Sequence, residues 1–220
     1  MLSAMRLVAA LTFATVPLAA HAAPERTATD SVFEDGMLTD LSPDVEVVFS
    51  HERGGAPIVR PLALSDATVM LRTAENGVSV VLAQNGGKRT LDAFPRDGGN
   101  PILLVFLESM SRAVAKAAGG SVFYIRNRMK DAFREGGALS AGEAVVKGSM
   151  VDVEIATFQP FENDPASRRM RGFETLELRF VRSDAVPGGF LSLQAEALAD
   201  DGSLLFRETM TYDPTGSGGR

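Results

Sequence analysis

Hydrophobic and polar positions divide this chain into three stretches of different period. Between residues 45 and 94 apolar side chains recur at every second position: Val45, Val47 and Phe49 against Glu46 and Ser50, then Val69 and Leu71 within 67–73, then Val78, Val80 and Leu82. Alternation of this kind predicts half-buried strands. Glu75-Asn76-Gly77 separates two of them with the Asn-Gly pair favoured in tight hairpins, and 88–94 completes a predicted meander.

At Asn100-Pro101 the period changes. Asn100 is placed to cap a helix and Pro101 to fill its first position, where a missing N–H costs nothing, so a helix is predicted to about Ala118. Its opening run, Ile102-Leu103-Leu104-Val105-Phe106-Leu107, is apolar on every side. That predicts burial on every side and puts the segment at the centre of the core. Gly119-Gly120 ends this helix, Ser121 is placed to cap a second, and Val122, Ile125, Met129, Ala132 and Phe133 give the second helix one apolar face.

Beyond Gly136-Gly137 alternation returns, at Val151-Val153-Ile155, at Leu176-Leu178-Phe180, and in 190–198 and 203–212 around the turn Asp200-Asp201-Gly202. Residues 160–171 read as an irregular, exposed loop. Strands, two helices, then strands predict an α+β fold: a large curved antiparallel sheet of about ten strands in two meanders, with a central helical pair packed on one face.

The first residues change the picture from fold to address. Arg6, the apolar run Leu7–Leu18 and the small-x-small triplet Ala20-His21-Ala22 have the pattern of a secretory signal peptide. The apolar run is too short for a membrane span of roughly 20 residues, and no later stretch is longer. The expected organisation is therefore a leader at 1–22, one domain at 23–213 and a flexible tail at 214–220. The expected location is the periplasm, or otherwise outside the cell.

Removing the 22 leader residues from 220 leaves 198, and loss of Arg6 takes the net charge from −6 to −7. A chain of that size buries roughly 70% of its unfolded surface without covalent staples. Zero cysteines exclude disulfides, a lipid-modified cysteine, iron–sulfur clusters and thiol catalysis. Mild acidity argues against general nucleic-acid binding. One histidine, His51, remains after the leader, which leaves little for histidine-rich metal sites or a Ser-His-Asp arrangement. No nucleophile elbow, phosphate loop or dinucleotide fingerprint occurs, and no cofactor is expected.

Four groups carry candidate chemistry. Asp152 and Glu154 share one strand face as paired carboxylates, although alternate acids on a wet strand are commonplace. Asp200-Asp201-Gly202 lacks the ligand period of a calcium loop and reads as a turn. His51, beside Glu52 and Arg53, has the makings of a proton shuttle or pH sensor, with a surface strand end as the plainer reading. The cations Arg126, Lys130 and Arg134 stack along one helix face, and Arg168, Arg169 and Arg171 crowd one loop. These six are the candidate ligand-binding residues, suited to an anionic headgroup or the acidic surface of a partner.

Gly99-Asn100-Pro101-Ile102-Leu103-Leu104-Val105-Phe106-Leu107-Glu108, followed by 119–128 (GGSVFYIRNR), resembles the core of uncharacterised secreted and periplasmic proteins of Gram-negative bacteria. The likeness covers about a fifth of the chain and implies existence and location, with no activity attached. In outline only, a curved antiparallel sheet interrupted by helices is similar to LolA-like lipoprotein carriers, and likeness of fold does not establish function. Three readings follow. The first is an exported non-enzymatic binding protein sheltering an apolar or lipid-like ligand near a basic rim. The second is an envelope assembly or interaction protein docking through the arginine loop or a sheet edge. The third is a hydrolase with an unrecognised carboxylate site.

Overall fold

The structure, a computed structural model, describes residues 26–219, so the predicted leader lies outside the described residues. Among the described residues, nine strands form one open, curved antiparallel sheet. In chain order they are β1 (Val45–Gly55), β2 (Leu64–Ala74), β3 (Gly77–Gln84), β4 (Gly87–Phe94), β5 (Ala138–Val146), β6 (Ser149–Phe158), β7 (Glu177–Arg182), β8 (Phe190–Leu198) and β9 (Leu204–Gly219). Three helices accompany them, α1 (Ala28–Val32), α2 (Pro101–Ala118) and α3 (Val122–Glu135). The sheet order is β4-β3-β2-β1-β9-β8-β7-β6-β5. The two predicted meanders are therefore joined edge to edge by β1 and β9, the first and last strands of the chain.

The alternation accounts for which face is dry. Val47, Phe49, Leu71, Val80, Phe180, Phe206 and Met210 all point to one side and are buried there. Against them lie Ile102, Phe106, Met110 and Val114 of α2, with Phe106 edge-on to Phe180 at 6.2 Å between ring centroids. From α3, Phe133 meets Phe158 edge-on at 4.8 Å. Each large side chain so buried contributes about 1.5–3 kcal/mol. At the start of α2 the Asn100 side chain accepts from the Ile102 N–H at 3.0 Å, while its own amide donates to the Gly188 carbonyl at 2.7 Å. Gly119 ends the helix in the left-handed region, φ 75°. Ser121 does occupy the cap position of α3, but its side chain makes no capping hydrogen bond.

Four local expectations are corrected. The opening of α2 is not buried on every side: Ile102, Leu103 and Phe106 face the core, but Leu104 is 55% exposed and Val105 and Leu107 are only partly covered. The helix has more apolar surface than the core uses. Second, 214–219 is not a flexible tail, because β9 continues through it and pairs Gly218 with Glu46 and Gly219 with Val45. Its polar, glycine-rich sequence has no alternation; order comes from the ladder, from Ser217 bonding Asp213 O, and from the Val48 N–H donating to Ser217 at 2.8 Å.

Third, the loop 160–171 is anchored rather than loose. Phe161 and Met170 are buried, Phe161 stacks on Tyr124 of α3, and the Tyr124 hydroxyl donates to the buried Asp164 carboxylate. Burial, then the hydrogen bond and charge of Asp164, push the Tyr124 hydroxyl up to about 12. Fourth, the face of β6 that bears Asp152 and Glu154 continues into Ala156 and Phe158 of the core. The short helix α1 covers part of it, with Ser31 donating to Glu154 at 2.7 Å. Neither α1 nor β5 was expected from periodicity.

Replacing Phe106 with alanine should cost about 3–5 kcal/mol, read as a lowered urea midpoint. Leu104→Ala, on the same helix but the wet side, should change stability by less than about 1 kcal/mol. Equal losses would show that Leu104 is core after all.

Candidate ligand-binding cleft

Strand alternation brings charge to the dry face. Val47, Phe49, His51 and Arg53 share one side of β1, and Phe206, Glu208, Met210 and Tyr212 share one side of β9. The β1–β9 register sets Phe49 opposite Tyr212, His51 opposite Met210 and Arg53 opposite Glu208. The Glu208 side chain is 0% exposed. Arg53 Nε donates to Glu208 Oε2 at 2.7 Å and Nη2 to Oε1 at 3.2 Å, while His51 Nε2 lies 2.8 Å from Oε1.

Burial alone would push the Glu208 carboxyl up. Hydrogen bonds from His51 and Arg53, reinforced by their charge, outweigh it and hold the group below its ordinary value. Arg53 reaches further, with Nη1 donating to the Leu62 carbonyl at 3.0 Å and Nη2 to Ser109 Oγ of α2 at 2.7 Å. Four elements therefore meet on one guanidinium: β1, β9, α2 and the turn between β1 and β2.

His51 and Arg53 of this cluster floor a cleft of about 580 Å³ between α2 and the first meander. That volume is within the range of pockets that hold small organic ligands. The sheet contributes Val69, Leu82, Leu91 and Phe94, and the opposite wall is Leu104 and Val105 of α2, with Leu62 from the turn. Buried His51 and Val69 are at the bottom; exposed Gln84, Arg89, Leu104 and Arg112 ring the mouth. Glu108, also on this wall, is bound by Arg112 Nε at 2.5 Å and by Arg126 of α3. Hydrogen bonds from Arg126, and then from Arg112, hold its carboxyl below the ordinary range. Ser109 meets Arg53 and not His51, so these groups do not form a Ser-His-Glu relay. A permanently charged guanidinium cannot act as the serine's base.

The six cations singled out from the sequence do not line this cleft. Arg126 braces Glu108 from behind, Arg134 pairs with Asp131 at 3.1 Å, and Lys130 is exposed on α3. Arg168 and Arg169 are exposed on the turn Ser167–Arg169, and the Arg171 guanidinium lies over Gly119 at the end of α2. The arginines at the mouth of this cleft are Arg89 and Arg112. Asp152 and Glu154 do not form a carboxylate site either: Asp152 is exposed, and Glu154 is held by Ser31 and by Arg26 at 3.3 Å.

His51 is not at a surface strand end, nor is Glu52 its partner. Extending the alternation Val47-Phe49 by two steps reaches His51 and Arg53, and the same exercise on Phe206-Met210-Tyr212 finds Glu208 among apolar neighbours. A carboxylate in the dry register of a strand was the available signal. A second hollow of about 710 Å³ lies between α1, the end of α3 and β5, walled by Arg26, Thr27, Glu135, Ser140 and Glu154, with Leu139 its one large apolar side chain among the described residues.

Glu208→Gln should cost about 3 kcal/mol at pH 7, because it strands the Arg53 charge in a largely dry site. A carboxyl held below its unfolded value stabilises the fold above that value, about 4.5, and the contribution disappears as pH falls through the native value. The gap in urea midpoint between the parent and Glu208→Gln should therefore be full at neutral pH and narrow in acid. A gap that widens on acidification would contradict this assignment.

Neither a family profile nor a curated protein sequence matches the chain. Among solved structures it is similar to the Mycobacterium tuberculosis lipoprotein LppX, with 11% identity over 76% of this chain and 84% of that one, and a TM-score of 0.35. A likeness so distant carries no argument about function.

Proposed function

We propose that the chain is an exported, non-enzymatic binding protein that shelters an apolar or lipid-like ligand between α2 and the β1–β4 meander. The observation that carries this reading is the uncovered apolar side of α2. Leu104 and Val105 line a gap of about 580 Å³ together with Leu82, Leu91 and Phe94, and Leu104 is 55% exposed. Apolar walls left facing one another at an open cleft mark a binding groove. A buried, fully paired polar floor below them gives the groove a rigid base. Export is inferred from the leader pattern of residues 1–22 and a periplasmic location from the same pattern.

One observation favours the second reading, an envelope interaction protein docking through a sheet edge. The edge strand β5 has nine residues with a single charge, Glu143, and pairs with β6 without a bulge. At its hairpin end Val145 and Met150 are 66% and 60% exposed. The opposite edge, β4, carries Lys88 and Arg89 and an irregular ladder, the usual protection against strand addition. The loop bearing Arg168, Arg169 and Arg171 is the other docking element under this reading.

Native mass spectrometry of the chain purified from expressing cells should show an apolar adduct, removable by organic extraction. The emptied protein should then bind the neutral probe Nile red. Leu104→Asp, which alters an already exposed side chain, should weaken probe binding about tenfold while leaving the urea midpoint in place. An adduct-free protein that ignores Nile red would sink the reading. If the parent carried no adduct and ignored Nile red while Ala141→Lys on β5 abolished capture of an envelope partner, the edge reading would replace it.

A further inference from the structure

The distribution of charge around the cleft narrows the class of ligand, on the proposal above that an apolar ligand occupies it. The chain as a whole is acidic, with 28 aspartates and glutamates against 22 lysines and arginines. The described lining of the cleft reverses that balance, with Arg53, Arg89 and Arg112 against Glu108 alone.

These charges are not equivalent. Arg53 at the floor is spent: Nε, Nη1 and Nη2 are committed to Glu208, Leu62 and Ser109, and Glu208 cancels its charge. A negatively charged group pushed to the floor would meet no free cation and would lie close to a buried carboxylate. At the mouth the position is opposite. Glu108 is shared by two arginines, Arg112 and Arg126, so this cluster keeps one net positive charge. The side chain of Arg89, exposed on β4, makes no hydrogen bond or ion pair among the described residues and contributes another. One cation therefore comes from the sheet and one from the helix, on either side of the opening to an apolar interior.

We propose that the ligand is an anionic amphiphile, with its hydrocarbon chain between Leu82, Leu91, Phe94 and Leu104 and its carboxylate or phosphate head at the mouth between Arg89 and Arg112. The arrangement satisfies both halves of such a molecule. The chain leaves water, and the head keeps partial hydration while gaining two guanidinium partners suited to planar or tetrahedral oxyanions. A long-chain alcohol would gain the first contribution without the second. A cationic amphiphile would be repelled.

Matched twelve-carbon ligands, used below their micelle concentrations, separate the possibilities by calorimetry on the full chain. Laurate and dodecyl phosphate should bind more tightly than dodecanol, and added salt should shrink the difference. The double variant R89Q/R112Q should lose about tenfold in affinity for both anions, since exposed ion pairs are worth a few-fold each, and should bind dodecanol unchanged. Dodecanol also reports whether the variant keeps its fold. If laurate is the tighter anion the source is a free fatty acid; if dodecyl phosphate is, it is a phospholipid-type head. Equal binding of all three by the parent, or a preference that survives the double variant, overturns the head-group assignment and leaves the apolar cleft standing. Binding of none overturns the cleft reading as well.

Discussion

A carboxylate with no exposed surface sits at the seam of this sheet, and much of the architecture follows from having to satisfy it. Removing an ion from water costs several kcal/mol after relaxation, so Glu208 is tolerable only with cationic and hydrogen-bonding partners in place. Arg53 and His51 supply them, from the neighbouring strand, only in the observed pairing of β1 with β9. A slip of one residue would turn Glu208 to the opposite face from Arg53. A slip of two keeps it on the dry face but moves it opposite His51 or Gly55 instead of Arg53. Apolar alternation alone accepts the second error. The ion pair does not. This is the seam where two meanders from opposite ends of the chain meet, and there the register matters most.

The same guanidinium also reaches α2. Over the second meander the helix lies directly on the sheet, ring against ring, through Phe106 and Phe180. It also packs on Val47, Phe49, Leu71 and Val80 of the first meander, and at Ser109 it is met by a long, charged side chain standing up from β1. One side of one helix thus closes the core while the adjacent side stands off from Leu82, Leu91 and Phe94. The apolar excess of α2 is the sequence-level trace of that division: Ile102 and Phe106 serve the fold, and Leu104 and Val105 are left for the cleft.

Legibility from sequence followed the range of the forces involved. Helices α2 and α3 were readable because their caps and periods are local, as were the strands with strict alternation. The strand β5 was not, because Ala138–Val146 is small and mostly exposed and is held by its hairpin with β6 rather than by burial. Residues 214–219 lack a local signal for the same reason, being ordered by a ladder to β1. Glu208 was half legible: its place among Phe206, Met210 and Tyr212 signals a dry carboxylate, but nothing local says that His51 and Arg53 lie opposite. Arg89 and Arg112 belong to a strand and a helix with no shared pattern. Only folding brings them to one opening, whereas the obvious cation row on α3 is a local regularity that braces Glu108 at one end and faces solvent at the other.

Polar floor and apolar walls are consequently one design rather than two. Closing the cleft by dropping α2 onto β2 and β3 would bury Leu104 and Val105 and gain about 1.5–3 kcal/mol for each. Arg53 ties that helix to the seam through Glu208, Leu62 and Ser109, and leaving a buried carboxylate without its partner costs about 3–5 kcal/mol. The two quantities are of similar size, which makes an open cleft affordable without any ligand in it. An apolar molecule that fills the gap gains the burial that the helix forgoes while Arg53 stays where it is.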